Sequence, residues 1–251
     1  MKQQSLVSQA FGSAATSYLT SSVHASGNDL QKLAEILREK PAGRVLDLGC
    51  GAGHASYAAS PVAQEVVAYD LTAEMLSTVA ETATKRDLQN IRTLQGSAEA
   101  LPFEKGEFDW VISRFSAHHW QGISKALREI HRVLKETGRV LFIDVAGNEN
   151  ALLDTHLQAI ELLRDASHVR NYSGNEWTAL FAEAGFDAEV VDRWRIPIEF
   201  SSWVGRIGTP ANRVQAIHTL WNGSPEEVRT YFAVKEDHSF ELDVLMIRAR
   251  R

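Results

Sequence analysis

One stretch near the start of the chain, residues 44–54, constrains the fold more than any other. An apolar, β-branched run ends at Asp47, and Gly49, Gly51 and Gly53 follow before a helix-like segment. This order is typical of a strand, a tight turn and a helix start in an open α/β sheet. Glycine allows unusual backbone angles and a close approach to a ligand, and the helix start offers unpaired N–H groups. The stretch therefore predicts a ligand-binding turn.

The glycine spacing and the preceding acid indicate which ligand the turn takes. A nicotinamide-binding turn has the pattern G-x-G-x-x-G, whereas this chain has G-x-G-x-G with Asp47 two residues before the first glycine. A carboxylate at the end of the strand repels a pyrophosphate and attracts a cation. S-adenosylmethionine carries a sulfonium and an α-amino group, so the pattern favours it over NAD. An ordinary glycine-rich turn remains the alternative for this stretch alone.

A second acid supports a nucleoside ligand. The apolar run at residues 65–70 ends in Asp70, about twenty residues after the glycine turn, where related sites place a ribose-binding carboxylate. A carboxylate can accept a hydrogen bond from each of the two ribose hydroxyls. Asp70 could also cap the next helix, although Thr72 suits that position better. The two roles are compatible with each other.

Further motifs occur in an order that resembles the class I S-adenosylmethionine-dependent methyltransferases. The chain looks most like the methyltransferase type 11 group around the ubiquinone/menaquinone C-methyltransferases. Residues 96–103 resemble that family's adenine-contacting loop, residues 108–113 its fourth strand, and residues 129–143 its next helix and fifth strand. Residues 11–18 resemble the N-terminal segment that folds over the cofactor. The resemblance covers roughly residues 11–144 and fades beyond them.

The resemblance implies an α/β fold. It implies a Rossmann-like, seven-stranded, mostly parallel sheet of order 3-2-1-4-5-7-6, with strand 7 antiparallel, helices on both faces and a helical cap. The alternation of strand-like and helix-like segments also favours a mainly parallel sheet. We expect one methyltransferase domain over residues 1–251, with a cofactor-covering segment at 1–27. A strand at about residues 186–200 is expected to be interrupted at Pro197.

The resemblance also implies which residues touch the cofactor. They are Tyr18, Asp47, Gly49, Cys50, Gly51, Asp70, Leu71, Met75, Ser97, Ala98, Glu99 and Arg114. Many relatives have Asp where Ser97 stands, and a hydroxyl accepts a hydrogen bond from the adenine amino group more weakly than a carboxylate does. Contacts from Ala98 or Glu99 then gain importance. Arg114 either binds an anionic substrate or the cofactor carboxylate, or it forms a structural salt bridge.

Two adjacent histidines are the candidate catalytic residues. Methyl transfer is an in-line displacement, in which the enzyme aligns the reactants and removes a proton where the nucleophile needs it. His118 and His119 follow the fourth strand at its ligand-binding end, and histidine titrates near neutral pH. Alternatively, one histidine bonds to the backbone and the other is exposed. Because adjacent histidines lack spaced ligand partners and the chain has no cysteine cluster, no metal is expected.

Two segments exceed what the shared core requires, residues 145–175 and 201–232. The second is rich in aromatics, including Trp203 and Trp221, and has helix-start signals at Pro210 and Pro225. Connections this long usually carry structure or function. We expect both segments to cap the cofactor site and residues 201–232 to form a mobile lid that shapes an apolar substrate pocket. Extra surface helices or a dimer contact are the alternatives.

Composition limits the partners. The 251 residues carry a formal net charge of −6 with no long basic run, so nucleic acid and anionic membranes are not expected partners. The one cysteine excludes an intramolecular disulfide, and no signal peptide or membrane span is evident. We expect a cytoplasmic monomer or homodimer that methylates O, N or C of a small molecule. A non-catalytic cofactor-binding protein acting through a partner is the alternative, and a dehydrogenase is disfavoured by Asp47.

Overall fold

The computed structural model describes residues 2–12, 27–40 and 42–251. Tyr18 and most of the predicted cofactor-covering segment lie outside these residues. The described strands are β1 (Ala42–Leu48), β2 (Ala63–Asp70), β3 (Ile91–Gln95), β4 (Phe108–Arg114), β5 (Leu134–Val145), β6 (Asp187–Ile198) and β7 (Phe240–Arg250). The described α-helices are α1 (Gln3–Gly12), α2 (Asn28–Glu39), α3 (His54–Ala59), α4 (Ala73–Lys85), α5 (Ile123–Val133), α6 (Ala151–Arg164), α7 (Gly174–Glu183), α8 (Phe200–Gly205), α9 (Ala211–Asn222) and α10 (Glu226–Tyr231).

Within the described residues, seven strands form one sheet of order β3-β2-β1-β4-β5-β7-β6. The neighbours from β3 to β5 are parallel, whereas β7 runs antiparallel to both β5 and β6. The predicted fold class, sheet order and direction of strand 7 are therefore confirmed. In such a sheet, ligands bind outside the carboxyl ends of the parallel strands.

Helices cover both faces of the sheet, which explains the continuous apolar runs within its central strands. In β2 the four successive residues 66–69 are all buried, as expected for a parallel strand packed on both sides. Leu33 of α2 and Ala59 of α3 pack on one face. Ile130 of α5 and Phe181 of α7 pack on the other.

The predicted interruption at Pro197 is wrong. β6 continues through Pro197 to Ile198, and Pro197 pairs in register with Glu241 of β7. Because β6 is an edge strand, one side of it has no ladder partner within the described sheet. Proline lacks an N–H donor and is tolerated at such an edge.

Residues 201–232 form helices that pack into a separate core rather than onto a cavity wall. Trp203 and Trp221 are 3% and 0% exposed. They lie in an apolar cluster with Leu157 and Ile160 of α6, Ile217 of α9, Phe232 after α10, Ile198 at the end of β6 and Phe240 at the start of β7. The surface of these aromatics is therefore used to join α8, α9 and α10 to α6, and Trp203 and Trp221 do not line the described cavity at the strand ends. That residues 201–232 shape the substrate pocket stays a prediction. Movement of the segment stays a prediction.

Candidate active site

A cavity opens at the carboxyl ends of β1, β2, β3 and β4, and α1 forms one of its walls. Its empty space is ≈ 1110 Å³, counting solvent at the mouth. Nucleoside-sized ligands fit cavities of this order. Every predicted cofactor residue that the structure describes lies in its lining: Asp47, Gly49, Cys50, Gly51, Asp70, Leu71, Met75, Ser97, Ala98, Glu99 and Arg114. Motifs up to 67 positions apart in the chain thus meet around one space.

Two glycines of the turn share a backbone conformation that favours glycine but have different surroundings. Gly49 and Gly51 have φ values of +71° and +50°, in the left-handed region that favours glycine. A Cβ on Gly49 would lie 1.9 Å from Ser116 Oγ, so the turn packs directly against the chain after β4. A Cβ on Gly51 would meet nothing within 4 Å, because that side of the turn faces open space. Gly51 thus presents bare backbone to the cavity.

Asp47, at the end of β1, is a buried carboxylate with one unused oxygen. The Ser56 hydroxyl donates to Oδ2 over 2.6 Å, whereas the buried Oδ1 has no hydrogen-bond partner among the described residues. Burial raises the pKa of Asp47 to about 7, and the nearby Asp70 adds to this rise while Ser56 opposes it. An unpaired buried acceptor is costly unless a ligand completes it. The site therefore fits a cationic group such as an ammonium.

Asp70, at the end of β2, is held by backbone amides. Gly51 N donates to Oδ2 over 2.9 Å and Thr72 N donates to Oδ1 over 2.8 Å. Burial raises the pKa of Asp70, and these amides oppose the rise. The hydrogen bond from Thr72 N lies at the start of α4, so Asp70 also makes the helix-start contact that was its alternative predicted role. Each carboxylate oxygen keeps a second lone pair, so the same geometry leaves acceptors for two hydroxyls.

The loop after β3 supplies the side of the cavity that is expected to hold the adenine ring. Ser97 Oγ accepts from Gln4 Nε2 and from Glu99 N, both over 3.3 Å. Glu99 Oε1 accepts from Gly122 N over 2.9 Å, so this carboxylate is tied to the segment before α5. Met75 of α4 is buried against Phe11 of α1 on the apolar side of the same cavity. The polar loop therefore lies across the cavity lining from apolar side chains of α1 and α4.

Arg114, at the end of β4, forms the structural salt bridge that was one of its two predicted roles. Its Nε lies 2.5 Å from Oδ2 of Asp29 on α2, and both side chains are 5% exposed. The guanidinium also lines the cavity and lies over the Phe115 ring at 4.7 Å. This ion pair neutralises the charge of Arg114 and connects α2 to the cavity lining.

The structure separates the two histidines. Both were candidate catalytic residues, but only His119 of the pair lines the cavity; a catalytic role for either stays a prediction. His118 instead points back into the protein, and its Nδ1 lies 2.5 Å from Oδ1 of Asp144 at the end of β5. Burial lowers the pKa of His118, but the Asp144 carboxylate outweighs it and the net shift is upward. The pair therefore favours an imidazolium at this position.

His119 is held as a neutral base by a carbonyl. Its Nδ1 lies 3.1 Å from the carbonyl oxygen of Ser167, which can only accept a hydrogen bond. Ser167 Oγ, 3.3 Å from the same nitrogen, already donates its proton to Asp165 Oδ1 over 2.7 Å. The proton of His119 thus belongs on Nδ1 and the lone pair on Nε2. Burial and the charge of His118 lower the pKa of His119 to about 4.

Several residues of the site had not been singled out from the sequence. Asp144 ends an apolar strand just as Asp47 and Asp70 do, and that signal could have found it. Ser167 and Asp165 carried no signal, because their role depends on how the chain after α6 docks. Val169 N and Arg170 N both donate to the His118 carbonyl and hold that segment in place. Residues 145–175 therefore do reach the site.

The described residues contain no cluster of three or more His, Cys, Asp or Glu that could hold a metal ion.

Comparison with known proteins supports the same family as the site. A family model described as a methyltransferase domain, of the type 11 group, matches residues 46–142. The chain is 45% identical over 203 residues to the uncharacterized protein YafE of Escherichia coli, covering 81% of this chain and 98% of YafE. It is 38% identical over 224 residues to the uncharacterized methyltransferase YcgJ of Bacillus subtilis, covering 89% and 88% of the two chains. The crystal structure of YcgJ superposes with a TM-score of 0.84 at 35% identity, covering 89% of this chain and 99% of YcgJ.

This chain belongs to the S-adenosylmethionine-dependent methyltransferases and is an enzyme that uses S-adenosylmethionine. The predicted resemblance to the ubiquinone/menaquinone group is also confirmed. UbiE of Rhizobium etli, named a ubiquinone/menaquinone biosynthesis C-methyltransferase, is 32% identical over 163 residues, covering 61% of this chain and 63% of UbiE. No helix in residues 2–12, 27–40 or 42–251 is long and apolar enough to cross a membrane.

Proposed function

We propose that this enzyme transfers a methyl group to an O, N or C atom of a small-molecule acceptor, with His119 as the group that receives the acceptor's proton. The observation that carries the proposal is that His119 lines the same cavity as the cofactor motifs, with its Nδ1 3.1 Å from the Ser167 carbonyl oxygen. A base must lie within reach of the reacting group. His54 of α3 and His119 both line the cavity, and we assign the role to His119 because it follows β4 and is oriented by the Ser167 carbonyl. His118 and Asp144 would influence the His119 base from inside the protein rather than contact the acceptor.

The residues present fit the cofactor. The unpaired Oδ1 of Asp47 would accept the α-ammonium group, and the Asp70 carboxylate, fixed by Gly51 and Thr72, would accept the ribose hydroxyls. Ser97, Ala98 and Glu99 would meet the adenine edge beside the apolar surface of Leu71 and Met75. When bound, the cofactor supplies a methyl group already activated by a sulfonium. The chain's own task is therefore to orient the acceptor, to exclude water and to take up a proton.

The charge of the site supports a small acceptor without strong negative charge. Arg114 is the cation of the described cavity lining apart from its histidines, and Asp29 neutralises it. The lining also contains the aromatic rings of Phe11, Phe115 and Trp120, and the Phe11 ring lies 4.9 Å from that of His119. The chain carries a net charge of −6, which opposes binding of a nucleic-acid backbone. A neutral or cationic organic molecule suits this wall best.

A labelling experiment tests the proposal. The enzyme and methyl-labelled S-adenosylmethionine would be incubated with one fraction at a time: the small metabolites, the proteins or the RNA of the same cells. We expect label to enter the small-metabolite fraction, and to enter it at least about 100-fold more slowly with His119→Asn. Ser5→Ala, an exposed change on α1, is the control and should match the wild type. Label confined to protein or RNA would refute the small-molecule acceptor, and an unaffected His119→Asn would refute the base.

A further inference from the structure

Helix α1 touches the same carbonyl that orients His119. The Gln3 carboxamide donates from Nε2 to the Ser167 carbonyl over 2.5 Å, and His119 Nδ1 lies 3.1 Å from that same oxygen. These residues are far apart in the sequence, with 164 positions between Gln3 and Ser167 and 48 between His119 and Ser167. The carbonyl thus joins the N-terminal helix to the candidate base.

A second contact from α1 reaches the imidazole itself. The Phe11 ring lies edge-on to the His119 ring with centroids 4.9 Å apart and an interplanar angle of 71°. Gln3 and Phe11 are eight positions apart, which places them two turns apart and near the same side of α1. The helix therefore contacts His119 directly at one point and through Ser167 at another.

We propose that α1 is a positioning element of the active site, in which Gln3 and Phe11 hold the His119 imidazole in one tautomer and shield it from water. The proposal rests on the proposed function of His119 as the acceptor's base. The shared Ser167 carbonyl has two lone pairs and can serve both donors. With Gln3 in place, the carbonyl stays oriented toward Nδ1, so the lone pair of Nε2 stays available to a substrate.

The surroundings of His119 show what loss of α1 would change. The charged and titratable groups around the ring are His118 after β4, Asp144 at the end of β5, and Asp165 and His168 after α6, whereas Gln3 and Phe11 of α1 are uncharged. Burial is the main reason that the pKa of His119 is low. Since α1 contributes to this burial without adding charge, removing its contacts should let water reach the ring and raise the pKa toward its ordinary value.

The neighbouring glutamine provides a matched comparison. Gln4 donates to Ser97 Oγ over 3.3 Å, on the cofactor side of the cavity, and makes no described hydrogen bond to Ser167 or His119. Gln3→Met and Gln4→Met each remove one carboxamide from the same helix and replace it with a side chain of similar length. They should differ in effect, because only the Gln3 carboxamide meets the carbonyl that orients His119. Ser5→Ala, at an exposed position of α1, controls for a general change in the helix.

Nitrogen NMR of histidine-labelled enzyme, titrated with and without S-adenosylhomocysteine, tests the proposal. We expect Gln3→Met and Phe11→Leu to raise the pKa of His119 by about one unit or more and to reduce the Nδ1–H tautomer. Gln4→Met and Ser5→Ala should titrate as the wild type does. Wild-type titration in both Gln3→Met and Phe11→Leu would overturn the proposal, as would an equal shift in Gln4→Met. Failure of the wild type to bind S-adenosylhomocysteine would instead overturn the proposed function.

Discussion

The Nδ1 atom of His118 lies 2.5 Å from Oδ1 of Asp144, and the two side chains are 14% and 3% exposed. Asp144 also accepts from the backbone N–H groups of His118 and Val145, over 3.3 and 2.9 Å. A carboxylate held this way favours a charged imidazole beside it. The rings of His118 and His119 lie 4.2 Å apart, so this charge acts directly on the histidine that lines the cavity.

Asp144→Asn should destabilise the protein most at low pH. The pKa of His118 in the folded protein lies above its ordinary value of 6.5 because of the Asp144 carboxylate, although burial opposes the rise. The stabilisation from the pair is then fully present below about pH 6.5 and is lost as the pH rises through the folded pKa. We expect the free energy of unfolding in urea to fall by about 2 kcal/mol at about pH 6 and by less at about pH 9.

Asp187→Asn is the matched control for this change. Asp187 pairs with Arg250 at an exposed site, where both side chains are more than two-thirds exposed. Exposed pairs contribute little to stability, so this variant should unfold close to the wild type at both pH values. An equal loss of stability for Asp144→Asn at the two pH values would contradict a charged His118.

The rate of methyl transfer should resist acid more than an ordinary histidine base would allow. Burial and the neighbouring His118 lower the pKa of His119 to about 4, so the base stays unprotonated across the neutral range. We expect the rate with a saturating acceptor to hold down to about pH 5. His118→Asn removes the neighbouring charge and should move the acid limb upward by about one pH unit. A wild-type midpoint near pH 6.5 would show that His119 is not the titrating base.

Cofactor binding should release a proton at neutral pH. Burial raises the pKa of Asp47 to about 7, and Asp70 adds to the rise, so the carboxyl is partly protonated before a cation arrives. Because an ammonium requires the carboxylate, affinity for S-adenosylhomocysteine should rise by up to about tenfold between pH 6 and pH 8. Calorimetry in buffers of different ionisation enthalpy measures the proton directly. Asp47→Asn should lose both the proton release and the pH dependence, and retention of either would contradict the assignment.

Trp221→Ala should affect stability without affecting the cofactor site. Trp221 is fully buried in the core that joins α9 to α6, and it does not line the cavity. We expect the free energy of unfolding to fall by about 3–5 kcal/mol while affinity for S-adenosylhomocysteine changes less than about twofold. Leu162→Ala, on the exposed side of α6, should leave both quantities near the wild type because Leu162 is 52% exposed. Loss of affinity in a still-folded Trp221→Ala would contradict this separation of the two cores and favour a lid over the cofactor.

The sequence predicted the parts of the site that depend on local patterns. Asp47 and Asp70 end apolar strands, and parallel strands bring such ends to one edge, so their meeting follows from the strands alone. The order of the outer strands came from the family resemblance rather than from periodicity. The contact between Gln3 and Ser167 could not be predicted, because it depends on how two distant segments dock. The burial of Trp203 and Trp221 in a core could not be predicted either, since large apolar side chains suit a pocket and a core equally well.

The most direct test of the account compares two ligands and two variants. S-adenosylhomocysteine carries both an α-ammonium group and a ribose, whereas 5′-methylthioadenosine keeps the ribose and lacks the ammonium. Calorimetry at about pH 8 should show that Asp47→Asn weakens only S-adenosylhomocysteine, by roughly 10-fold or more. Asp70→Ala should weaken both ligands by a similar factor, because both present the ribose hydroxyls. Equal weakening of both ligands by Asp47→Asn, or full affinity of Asp70→Ala, would contradict the proposed arrangement of the cofactor in this cavity.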